Sequence, residues 1–509
     1  MTDSTAQDKP QPASVTFPPA ARAGVIGRFG GVDLVFFSVA LVAAWIGLHS
    51  IGSGWTIPIV TAVICLLAVV LPLMPRVGGR RATDYIWPVI GAFIDRATGR
   101  GSYRGAVYAP ASLAHNWDLP GDLAGFRMIE VSAADGHSRI ALKYNKREKV
   151  ALATALTFGG TLVTKDEADR ALALAGWESV MTLLAGKEAG IRRFQLLARA
   201  TTDTSNLAAR HLRDKAVVRS GLVWQNAQAL VTGPAANAPR HEVYVVLEYD
   251  LTTMSEELDK IDSKWGDQAI GAVIRDRLAE VEHALKDEGI TTRGWLRPGQ
   301  DAALIHTQFD PDSVPLHDML AGPAADLEPR MAGPSAAERS WKYYRHDSGV
   351  SQTLWIHEMP GRPVHTSFLA PLLQDSSAHH SISIVSQPLD EATAQGMTEK
   401  QSLRADQAVT SRANRGLFVS SRAKKEAQAV RAQDQALADQ DVMFRYLIFV
   451  TVTGSDEASC RRGVLAVRRS IHKAKCAAAV LYGEQDQAFF AGALPFARGL
   501  TPMRGRKRP

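Results

Sequence analysis

A mean hydropathy of -0.08 is too high for a disordered chain and too low for a polytopic transporter, and 509 residues are enough for roughly two to four domains with full cores. The 58 Lys and Arg against 52 Asp and Glu give a formal charge of +6, a modest surplus whose placement matters more than its size. Cys65, Cys460 and Cys476 have no spacing that suggests a disulfide framework or a zinc site; they are expected as core or lipid-facing residues of a largely cytoplasmic chain.

Residues 1–31 form a polar lead rich in Pro and Ala, followed by two apolar runs, 34–48 and 55–74, joined by a loop over 49–54. The first run starts too late for a cleaved signal peptide and the second follows at once. Residues 32–76 therefore read as a transmembrane hairpin, the first run extending to Val32 and Ile51 to approach the roughly 20 residues that a spanning helix needs. Trp45 and Trp55 suit the outer interface and Asp33 the inner one. Pro58 and Pro72 fall near the ends of the second helix, where a lost backbone donor costs least. Arg22 and Arg28 precede the runs and Arg76, Arg80 and Arg81 follow them, while the loop holds no Lys or Arg. By the positive-inside rule both flanks and both termini lie in the cytoplasm, so a multi-pass protein of the plasma membrane is expected.

Over 84–108, Tyr85, Ile86, Trp87, Val89, Ile90, Phe93 and Ile94 alternate with small residues ahead of Arg96, Arg100 and Arg104. This predicts an interfacial helix within a 77–120 connecting region, apolar face in the headgroups and basic end near anionic lipid. The alternative is a third buried segment packed on the polar domain. The expected membrane-interface set is thus Trp45, Trp55, Arg76, Arg80, Arg81, Tyr85 and Trp87.

From Phe126 onward the pattern is that of a mixed fold. Strands at 126–131 and 138–144 flank an Asp-Gly turn. Thr164 with Glu167 predicts a capping box and a helix through Trp177 and Val180. A strand at 191–200, a short helix at 204–215, a Pro-interrupted insertion ending near Arg240 and a strand at 242–249 follow. A helix at 269–286, a strand at 292–296 and a helix at 299–309 complete an α+β module over 121–320. After a linker at 321–338 the order recurs over 339–497: a strand at 350–357, a short helix at 364–373, a strand at 380–385, a long Ala-, Gln- and Arg-rich helical stretch, a strand at 444–452, a helix at 457–473, a strand at 477–482 and a helix at 486–494. The fold class read from this is membrane-anchored α+β: a two-helix transmembrane hairpin, then two pseudo-repeated cytoplasmic α+β modules and a basic tail at 498–509.

Motifs for chemistry are missing. The stretch from Gly159 to Lys165 lacks the second glycine and the hydroxyl residue of a nucleotide-phosphate loop. Gly-x-Ser-x-Gly, His-Glu-x-x-His and Cys-x-x-Cys do not occur. His357, Glu358, His365, His379 and His380 could be imagined as metal ligands, but adjacent strand residues face opposite ways, so His379 and His380 do not readily share an ion. Arg422, Lys424, Lys425 and Arg431 could meet phosphates, yet Glu426, Asp434, Asp439 and Asp441 make the stretch a charge-mixed, solvated helix. No catalytic residue, cofactor or metal ligand is expected, and direct nucleic-acid binding is not expected.

The hairpin, followed by Asp84-Tyr-Ile-Trp87 and Gly99-Arg-Gly-Ser-Tyr-Arg104, resembles the actinobacterial PrgI-like membrane proteins found with conjugation and type IV secretion genes. The stretch from Gln487 to Pro495 is similar to the segment just before the ATPase domain of the conjugation ATPase, and the chain stops soon afterwards at Pro509. The resemblance implies a non-enzymatic scaffold subunit, oligomeric, in contact with membrane lipid and with other secretion subunits, and able to dock a separate ATPase. The rival expectations are a component of a type VII secretion membrane complex and a membrane-anchored enzyme whose site is assembled from distant residues.

Overall fold

The structure is a computed structural model that describes residues 14–15, 31–50, 52, 54–74, 80, 82–99, 101–105, 119–133, 138–157, 166–202, 206–232, 239–290, 292–319, 326–360, 364–365, 367–375, 378–414, 428 and 442–499. In chain order its first elements are β1 (Ser14–Val15), α1 (Gly31–His49), α2 (Thr56–Leu73), α3 (Ile86–Thr98) and β2 (Ser102–Arg104). Next come β3 (Phe126–Ser132), β4 (Arg139–Asn145), β5 (Val150–Thr157), α4 (Glu167–Ala185), β6 (Ile191–Thr202), α5 (Asn206–Lys215), α6 (Gly221–Thr232) and β7 (Pro239–Asp250). The helices α7 (Ser255–Ile261) and α8 (Asp267–Asp287), the strand β8 (Thr292–Trp295) and the helices α9 (Pro298–Phe309) and α10 (Val314–Met319) follow. The rest is β9 (Ala336–Arg339), β10 (Tyr344–His346), β11 (Gly349–Glu358), β12 (Val364–His365), α11 (Ala370–Leu373), β13 (His379–Pro388), α12 (Glu391–Asn414), β14 (Phe444–Gly454), α13 (Glu457–Lys473), β15 (Ala477–Val480) and α14 (Gln485–Ala493).

A single antiparallel sheet of thirteen strands holds the fold together, in the order β2-β9-β10-β11-β14-β13-β6-β7-β5-β4-β3, with β8 also on β5 and β15 also on β11. Its centre is the β6–β13 pair, in register from Phe194 opposite Ser386 to Ala200 opposite His380. Outward from that pair, each side shows the same connections. β7 and β14 lie next to β6 and β13, then β5 and β11. The outer edge of β5 takes β4 at its start and β8 at its end, and that of β11 takes β10 and β15.

Strand alternation sorts the core. Phe194, Leu196 and Ala198 of β6 share one face of the sheet, and the clusters they join are roofed by α8 on one side (Ile270, Ile274, Leu278) and α13 on the other (Val464, Val467, Ile471). On the opposite face α9 and α14 share one cluster, where Ile305 and Phe309 meet Phe489 and Phe490 over Leu152, Val246 and Val385. That common cluster joins the two halves. Gln195, fully buried at the centre, reinforces it: its Nε2 donates to Ser383 Oγ at 2.8 Å and to the Leu494 carbonyl at 3.0 Å, and its Oε1 accepts from the Ala497 N–H at 2.8 Å.

Several expectations need correction. The stretch expected as a helix at 364–373 is β12, paired with β1, followed by the short α11. The cap of α4 is Asp166, which accepts from the Asp169 N–H at 2.9 Å, two residues beyond the expected Thr164. The insertion before β7 contains a second helix, α6, and the strands β5, β9 and β10 had no counterpart among the expected elements. The Lys- and Arg-bearing stretch at 422–431 and the tail beyond 499 lie outside the described residues, apart from residue 428. The expected hairpin is met in part: among the described residues only α2 is long and apolar enough to cross a membrane, with mean hydropathy 2.6, while α1 supplies a shorter apolar stretch, Asp33–His49.

Candidate membrane-anchoring site

The helices α1 and α2 pack along a seam of small residues. Ala40, Ala43 and Ala68 are buried there, and a methyl group on Gly47 would sit 2.7 Å from Thr61 Oγ1. Thr61 is compatible with such a seam because its hydroxyl donates to the Ile57 carbonyl of its own helix at 2.9 Å. Close approach of small residues is how helices associate where water does not drive them together. The large apolar side chains point away from the seam: Val35, Leu41, Leu48, Ile59, Val63 and Leu66 are all exposed. Such a surface is unfavourable in water at roughly 25 cal/mol per Å².

Of the expected interface residues, Trp45 and Trp55 fall at one end of this pair and Arg80 and Tyr85 follow the other. Trp45, 61 % exposed and tilted over His49 at 4.5 Å, and Trp55, 84 % exposed, flank the connection between α1 and α2. At the other end Thr83 Oγ1 donates to Asp33 at 3.1 Å, both side chains buried, so the start of α1 is tied to the 3-10 turn Ala82–Tyr85 that leads into α3. Arg76 and Arg81 lie outside the described residues. Arg80 does not lie free for headgroups: its guanidinium donates to Glu484 at 2.6 Å and lies 6.0 Å from the Trp355 ring centre. Tyr85 sits beside this pair; burial pushes its hydroxyl up and Arg80 pulls it back.

The α3 helix is docked on the sheet domain by one side. Asp95 forms an ion pair with Arg339 of β9, whose guanidinium also reaches Asp486 of α14 at 3.3 Å. Pro88 packs on Gly483, whose φ of +76° suits glycine and whose hydrogen atom faces the Trp341 ring. Burial raises the Asp486 carboxyl and Arg339 offsets part of that rise. Trp87, Val89, Ile90 and Phe93 stay exposed on the other side, and Gly99, at φ +68°, ends the helix. Sequence reasoning named Tyr85 and Trp87 here but missed Asp95, Arg339, Glu484 and Asp486. One signal was available: Gln485-Asp486 at the start of α14 repeats Gln300-Asp301 in the first turn of α9.

Several polar groups in the core find their partners inside it. Lys143 Nζ contacts both Asp301 oxygens at 2.8 and 2.9 Å with both side chains fully buried. Burial lowers the Lys143 ammonium, and Asp301 counteracts it. His346 lies between the Phe309 carbonyl and Ser351 Oγ, at 2.5 and 2.7 Å. His380 bonds the Ala378 carbonyl at 2.9 Å and His365 the Ser367 hydroxyl at 2.7 Å. Among the described residues no three His, Cys, Asp or Glu side chains converge as metal ligands. A cleft of about 350 Å³ at the ends of β6, β13 and β14 carries His379 and Asp312 among hydroxyl and apolar walls. Cys460 and Cys476 are buried free thiols pushed up by burial, to about 12 and about 11. No protein-family model matches the chain, and no curated protein matches it significantly in sequence.

Proposed function

We propose that this chain is a structural subunit of a type IV secretion or conjugation apparatus, held in the plasma membrane by a hairpin of α1 and α2 and presenting a duplicated α+β module as a cytoplasmic platform for a separate ATPase. The observation that carries the anchoring half is the hairpin itself: small residues inward, large apolar residues outward, and tryptophans at the turn. With 19 and 18 residues the two helices are about 27–29 Å long, close to the thickness of a hydrocarbon core. Both helices then return the chain to one side, where Asp33, Thr83 and Arg80 join them to the sheet domain.

The platform half is supported by the matched connections on either side of β6 and β13, which read as two copies of one module fused through a shared sheet and a shared α9–α14 cluster. The secretion context comes from the resemblance of the hairpin, of Asp84-Tyr-Ile-Trp87 and of the stretch from Gln487 to Pro495 to PrgI-like proteins and the region before the conjugation ATPase. Affinity purification from detergent-solubilised native membranes tests it. Co-purification of a secretion or conjugation ATPase is expected; a clean chain with no secretion component attached would contradict it.

A further inference from the structure

We infer that α3 is a second, shallow membrane contact lying on the bilayer surface beside the hairpin, and that Arg339 is the strut that fixes the sheet domain to it; the inference rests on the reading of the hairpin as a membrane anchor. Trp87, Ile90 and Phe93 follow one another at three-residue steps and are 67 %, 42 % and 75 % exposed, with Val89 in the same arc. The complementary stripe, Pro88 and Asp95 seven residues apart, is the one held by Gly483, Trp341 and Arg339. The apolar arc is thus fixed facing away from the protein.

Lipid is the occupant that the connections favour. The 3-10 turn that opens α3 touches α2 and is hydrogen-bonded to the first turn of α1 through Thr83 and Asp33. The helix therefore begins at the level where α1 starts and α2 ends. Tryptophan with phenylalanine on one face of a short amphipathic helix suits the boundary between headgroups and acyl chains. Arg339, side chain 16 % exposed, then takes one carboxylate from the surface helix and one from α14, the helix at the centre of the sheet's core. Two ion pairs on one planar guanidinium, beside the β2–β9 pairing that follows α3, set an angle between membrane plane and sheet.

The test uses the full chain, with Cys65→Ala, in phospholipid nanodiscs carrying a nitroxide either near the headgroup or deep in the acyl chain. An environment-sensitive fluorophore is placed by Phe93→Cys or, as the control for the anchor, by Leu66→Cys near the middle of α2. Quenching at position 93 is expected to be about threefold stronger with the shallow nitroxide than with the deep one, and the reverse at position 66. No quenching at 93 with strong deep quenching at 66 overturns the surface contact and leaves the anchor standing; no quenching at 66 overturns the anchor first. For the strut, spin labels at Phe93→Cys and Leu465→Cys report the distance between α3 and α13. Arg339→Gln is expected to lose the narrow distance peak while the quenching at 93 persists. A narrow peak that survives Arg339→Gln overturns the role of Arg339.

Discussion

The helices α9 and α14, which follow β8 and β15 in the two sheet halves, hold the same kind of residue in opposite circumstances. In α9, Asp301 faces Lys143 with both side chains sealed from water. In α14, Asp486 shares Arg339 with Asp95 of α3 at the edge of the domain. The topology around the two helices is alike, and the electrostatic partner differs: the first carboxylate closes its own half, the second reaches toward the proposed anchor. The contrast shows how topologically matching positions can be structural in one half and connective in the other.

The largest effect should come from breaking the sealed pair. Asp301→Asn or Lys143→Met leaves an uncompensated buried group and is expected to cost about 3–5 kcal/mol in denaturant unfolding, whereas replacing both with apolar residues should recover most of that loss. A single variant as stable as the parent would remove the basis for the contrast.

The next effect tests where the halves meet. His346 bonds the carbonyl of Phe309, the last residue of α9, and burial, partly offset by that bond and by Asp310, lowers it to about 4. An unfolded histidine titrates near about 6.5. The folded chain therefore binds fewer protons than the unfolded one between these values. The contribution is fully present above pH 6.5 and is lost as the pH falls toward 4, by about 3 kcal/mol at most. In His346→Gln the fall in stability over that window should be shallower by about one proton's worth; an unchanged slope would show that His346 is not the group responsible.

The smallest loss of stability belongs to the shared pair. Asp486→Asn leaves Arg339 with Asp95 at a partly exposed edge and should cost about 1 kcal/mol. It should nevertheless raise protease cleavage between α3 and β2 well above that in Asp301→Asn at equal stability. Equal cleavage in the two would erase the distinction between the positions.

The sheet was largely legible. The strands β3, β4, β6, β7, β11, β13 and β14 follow from alternation of apolar and polar residues, and the matched order of the two halves follows from them. β5 was not legible, because Val150-Ala-Leu-Ala-Thr-Ala-Leu-Thr157 is buried on both faces and alternates only in size, and its alanines carry helical propensity. β9 and β10 are too short to show a period. At the candidate site the apolar runs and tryptophans could be read directly. The ion pairs could not, because Arg80 and Glu484, or Asp95, Arg339 and Asp486, are hundreds of residues apart and meet only through the sheet.

The central claim is that α1 and α2 cross the bilayer and leave the connection near Trp55 outside while the sheet domain stays inside. Labelling by a membrane-impermeant maleimide in intact cells tests it, with Trp55→Cys as the outer reporter and Leu465→Cys on α13 as the inner one, both positions being exposed. The account predicts labelling at 55 in intact cells and at 465 only after lysis; protection of position 55 until lysis, in step with 465, would contradict it.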